Sequence, residues 1–127
     1  MYQTALLSVD LERGEEVLKI LDDAGLHLDV ALWVSTSHHE DWRMAVSAKS
    51  FSDLGVDEGR RLLNETLITA GFPLQKKPEM MVFGWKDPFI RDLRRHYAKM
   101  KDVEGLRPGG LVFGNRFVQD GYIYRIS

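Results

Sequence analysis

His38, His39, Glu40 and Asp41 are consecutive, and no other stretch of the chain is as dense in metal-ligating and proton-transferring side chains. Two imidazoles beside two carboxylates suit a divalent cation, and either histidine could act as acid or base with Asp41 or Glu40 orienting it. A metal-dependent hydrolase or nuclease using His38, His39 and Asp41 is the catalytic reading they support. Against it, helical His-x-x-x-His spacing and an activated nucleophile are both absent, so the sequence assigns no metal site, no cofactor and no catalytic residue. A second group is cationic: Arg91, Arg94, Arg95 and Lys99 recur within nine residues. Such a run contacts phosphates, with counterion release strengthening binding at low salt, or meets an acidic protein. Trp33 and Arg43 make a third group, an aromatic and a cation on neighbouring strands, which would suit base stacking if their sheet face were open.

The remaining candidates are weaker. Gly109, Gly110 and Gly114 form a glycine-rich stretch, but a strand pattern follows and the phosphate-cradling lysine is missing. Asp102 and Glu104 have no apolar surroundings to raise a carboxyl pKa. His96 stands four residues after Asp92, a local helix-surface pair, and His27 merely follows the first helix. Tyr122 and Tyr124 alternate with Ile123 and Arg125 as a strand with one packed face.

These side chains must be held by elements of recognisable period. Leu11, Gly14, Leu18, Leu21 and Ala24 repeat at helical spacing behind a short apolar run at residues 3–9, which reads as a first strand; Asp10 is the expected N-cap and Gly25 the stop. From Asp29 the period becomes two. Val30, Leu32 and Val34 point one way with Met44, Val46 and Ala48 of the next strand, so Trp33 and Arg43 share the other face of an antiparallel hairpin. A second helix opens at Asp57 and stops at Gly71. Residues 80–85 form a buried strand, and Asp87-Pro88 caps a third helix expected to reach about Lys101. Two turn signals, Gly114-Asn115 and Asp120-Gly121, divide the C-terminal end into a hairpin or meander.

The order is β-α-β-β-α-β-α-β-β. This is an α+β fold with an antiparallel or mixed sheet and helices on one face, compatible with a ferredoxin-like core plus a C-terminal helix and hairpin. The length of 127 residues fits a single domain over residues 1–127. Composition, at 44% hydrophobic and 28% charged, is that of an ordinary globular protein. Zero cysteines exclude disulfides and thiolate chemistry. No leader pattern and no membrane-length apolar run is present, so a soluble, cytoplasmic protein is expected, without membrane partners.

The net charge of −2 conceals an asymmetry. Residues 1–60 hold 5 Lys and Arg against 12 Asp and Glu, and residues 61–127 hold 12 against 7. An acidic half followed by a basic half points to a charged partner or to self-association.

Ala31-Leu32-Trp33, Asp41-Trp42-Arg43, Asp87-Pro88-Phe89-Ile90 and the ending Asp120-Gly121-Tyr122-Ile123-Tyr124-Arg125, taken in order, resemble a family of small uncharacterised bacterial α+β proteins. That resemblance implies a small cytoplasmic protein and carries over no activity and no catalytic residue. The function expected from the sequence is therefore a non-catalytic binding or accessory module. Its contact residues would be Arg91, Arg94, Arg95, Lys99, Trp33 and Arg43. Its partner would be a protein, a second copy of itself in a structural homodimer, or a nucleic acid.

Overall fold

A computed structural model describes residues 6–36 and 42–127. Helix α1 (Ser8–Asp23) begins earlier than its periodicity suggests. Leu7 is its N-cap, and Asp10, three residues on, accepts the Leu7 N–H at 3.0 Å. Asp10 therefore satisfies an orphan donor from inside the first turn rather than capping the helix. Ser8 and Val9, expected in a first strand, are helical; residues 3–5 of that expected strand lie outside the described residues.

Strands β1 (Val30–Ser35) and β2 (Arg43–Ser47) pair antiparallel, as expected from their alternation. Helices α2 (Phe51–Leu54) and α3 (Val56–Thr69) then cross over, and β3 (Met80–Val82) returns parallel to β2. Helix α4 (Pro88–Tyr97) starts where expected, because the Asp87 carboxylate accepts the Phe89 N–H at 2.9 Å and Pro88 occupies a first-turn position that needs no donor. It ends before Lys101: Met100 donates to the Tyr97 carbonyl, a tight turn that closes the helix. Strands β4 (Leu111–Phe113) and β5 (Arg116–Val118) form a separate hairpin around Gly114-Asn115. Asp120-Gly121 is not a turn. It opens β6 (Asp120–Ile126), which pairs antiparallel with β1 and completes a mixed sheet of order β3-β2-β1-β6. The architecture is α+β, with the C-terminal strand beside β1.

Both faces of the sheet are covered. Val17, Leu18 and Leu21 of α1, Phe51 of α2, and Leu63 and Leu67 of α3 bury one face. Phe89, Ile90 and Leu93 of α4, with Phe113 and Val118 of the hairpin, bury the other. This layering corrects the expected phase of the strands. Trp33 pairs with Met44 and Ala31 with Val46, so Trp33 lies on the α1–α3 face, while Val30, Leu32 and Val34 face α4. Every residue of β1 is buried, Ser35 included, so no exposed polar face marks the phase, and a one-residue shift in reading exchanges the faces. Among the described residues no helix is long and apolar enough to cross a membrane.

Candidate functional site

Trp33 and Arg43 do not form a platform. Trp33 is only 3% exposed, and its Nε1 donates to the Tyr124 hydroxyl at 2.8 Å; that hydroxyl donates in turn to the Leu11 carbonyl at 2.7 Å. Burial holds the Tyr124 hydroxyl above the usual phenol range, so it stays a donor. Arg43 pairs with Val34 on the opposite sheet face, and its Nε lies 3.4 Å from Glu79. The aromatic ring and the cation are thus separated by the sheet. The expected stacking surface is absent because α4 and the hairpin occupy one face and the early helices the other.

His38, His39 and Asp41, the residues of the alternative metal-dependent reading, lie outside the described residues. Among the described residues no group of three or more His, Cys, Asp or Glu side chains could hold a metal ion.

The basic helix and the C-terminal hairpin, in contrast, are brought together. Phe113 is fully buried, its ring 5.3 Å from His96, 6.1 Å from Tyr97 and 6.4 Å from Phe89. Asp92 accepts the Gly114 N–H at 2.9 Å with one oxygen and meets Arg95 at 3.0 Å with the other. The pairing of Asp92 with His96 expected from their spacing is therefore replaced. Gly114, at φ +61°, sits where a Cβ would come 2.8 Å from the Phe89 nitrogen, so the turn fits against the start of α4 only without a side chain.

With its inner face so fixed, the hairpin turns Val112 and Phe117 outward. They are directly opposite in register, 57% and 40% exposed. Cross-strand neighbours on one face form a contiguous apolar surface. The cations of α4, of the turn after it and of the hairpin divide by employment. Arg94 stacks 4.0 Å over Trp85 and donates to the Ser127 carbonyl at 3.0 Å, so it ties α4 to the chain beside it. Arg116 lies 5.0 Å over the Phe83 ring. Arg95 shares Asp92, yet its side chain is 73% exposed. Arg91 and Lys99 are exposed and have no ion pair among the described residues. Of the four cations expected on this helix, Arg91 and Arg95 face solvent and Arg94 holds structure, while Lys99 is exposed in the turn beyond the helix end at Tyr97.

A cluster unmarked in the sequence joins the end of α1 to β6. Arg125 grips Asp22 with two nitrogens, each at 3.0 Å, and His27 Nδ1 lies 2.9 Å from the same carboxylate. Hydrogen bonds from Arg125 hold the Asp22 carboxyl below its ordinary 3.8, against a smaller opposing effect of burial. Its stabilising contribution is thus complete above pH 3.8 and is lost as the pH falls through the lowered value. Asp22→Asn is expected to lower thermal stability at neutral pH, with the difference from wild type closing as melting curves are taken below pH 3.8. A constant difference down to acid pH would exclude the ion pair as its source.

No family model, curated protein or solved structure matches the chain.

Proposed function

We propose that this chain is a non-catalytic binding module whose α4–hairpin face engages an acidic, partly apolar protein surface. The observation carrying this reading is the exposed Val112–Phe117 pair on a hairpin docked against α4, whose Arg91, with Lys99 just past the helix end, is exposed and holds no ion pair among the described residues. An apolar centre containing an aromatic, bordered by arginine, is the composition favoured in protein interfaces. A polyanion would use the cations but would gain little from Val112.

Two surface variants separate these demands. Arg91→Glu with Lys99→Glu alters charge alone, and Val112→Ser with Phe117→Ser alters the apolar pair alone. Immobilised wild type is expected to retain a protein that both variants lose, with retention falling as salt rises. Retention unchanged by either variant would move the contact elsewhere. Retained nucleic acid, lost only by the charge variant, would replace the proposal with polyanion binding.

A further inference from the structure

Helix α1, from the acidic half of the sequence, and α4, from the basic half, lie on opposite faces of the sheet. The α1 layer carries Asp10, Glu12, Glu15, Glu16, Asp22 and Asp23 against Arg13 and Lys19. The α3 helix beside it is neutralised internally: Arg60 pairs with Asp57, and Arg61 with Glu58 and Glu65. On α1, Asp22 is taken by Arg125 and Asp23 by Lys19, whereas Glu12 and Glu16 are exposed without an ion pair among the described residues. They stand one helical turn apart on the outer side, away from the buried Val17 and Leu21. Leu7 and Val9 at the start of this helix are 55% and 41% exposed.

The opposite layer repeats this arrangement with the sign reversed. Arg91 and Arg95 of α4 and Lys99 just past its end are exposed at four-residue spacing, and the hairpin docked on α4 exposes Val112 and Phe117 on its outer face. We infer that the occupant of the α4–hairpin face is the outer face of α1 from a second copy of this chain, giving head-to-tail self-association. This rests on the reading of that face as an interaction surface and specifies its partner. The two complementary patches lie on opposite sides of one sheet. A two-fold contact built on either face alone would set like charge on like charge, whereas acid on base is heterologous and propagates beyond two copies.

The test is sedimentation velocity over a concentration series at low salt and at about 0.5 M salt, where screening acts within about 4 Å. Wild type is expected to grow beyond a dimer at low salt and to return to monomer at high salt. Glu12→Arg with Glu16→Arg, and Arg91→Glu with Lys99→Glu, change exposed residues that hold no ion pair among the described residues, and circular dichroism checks that each variant folds. Each variant alone presents the same sign on both faces and is expected to remain monomeric. Mixed in equal amounts they again oppose acid to base, and assembly should recover to the wild-type size. Association of wild type without recovery in the mixture would overturn the inference. So would loss of association in only one of the two variants, the mark of an isologous contact. A wild type that is monomeric throughout would overturn it as well, while leaving the broader binding reading to the retention experiment.

Discussion

Replacing Gly14 by alanine is expected to destabilise the protein by about 3 kcal/mol, a fall of roughly 10 °C in thermal midpoint. Gly14 lies on the buried side of α1, and a Cβ there would overlap the Tyr124 hydroxyl and come within 2.9 Å of Cζ. A flexible side chain would swing aside at little cost. Tyr124 cannot, because it is 7% exposed and its hydroxyl is fixed between Trp33 Nε1 and the Leu11 carbonyl. Accommodating one methyl group therefore breaks both hydrogen bonds or lifts α1 from the sheet. A buried donor left without a partner costs about 1–3 kcal/mol, so Tyr124→Phe should be costly in its own right. The two substitutions share one mechanism, and the double variant is expected to lose less than the sum of the singles. Full additivity in urea denaturation would mean that the hydroxyl does not mediate the contact.

This network also shows where sequence reasoning meets its bound. The helices were legible because their signals are local. Asp87 with Pro88 caps α4 whatever surrounds it, and Gly25 and Gly71 follow α1 and α3 as the expected stops. The phase of β1 was not legible, since Val30 to Ser35 are all buried and each alternating set brings large apolar side chains, Val30, Leu32 and Val34 in one and Trp33 in the other. Nor was the place of β6: its alternation marks a strand, but pairing with β1 joins residues some ninety positions apart, and Asp120-Gly121 carries the composition of a turn. There the Asp120 carboxylate is instead held by Arg107 at 2.7 Å.

The candidate site divides in the same way. The cations of α4 were plain in the sequence, but the separate roles of Arg94 and Arg95 depend on Trp85, Ser127 and Asp92, whose positions the fold sets. Val112 and Phe117 gave no signal, because Leu111, Val112 and Phe113 are apolar in succession and only the docking of Phe113 decides which neighbour faces outward. The charge asymmetry was visible from the start. With α1 and α4 on opposite faces, a difference along the chain becomes a difference across the molecule.

Phe113→Ala is the substitution expected to cost most, about 3–5 kcal/mol, the range for removing a fully buried aromatic ring. Its effect should also be uneven. The β4–β5 hairpin is its own two-stranded sheet, and the Phe113 ring packs against Phe89, His96 and Tyr97. Further ties among the described residues are the Asp92 bond to Gly114, Arg116 over the Phe83 ring, the burial of Val118, and the run of β5 into β6, where Gln119 donates to the Ser35 carbonyl. An isolated two-stranded hairpin is marginally stable at best, so without the ring residues 111–118 should open in advance of the sheet. Hydrogen exchange is then expected to show protection lost first in those residues, while the amides of β1 and β2 exchange only by global unfolding. Partner retention should fall with it, although every cation on α4 is still present, because the hairpin that carries Val112 and Phe117 is no longer docked on the helix. Uniform loss of protection across hairpin and sheet would instead make the hairpin part of one cooperative unit. The apolar half of the proposed surface would then be as rigid as the core that supports it.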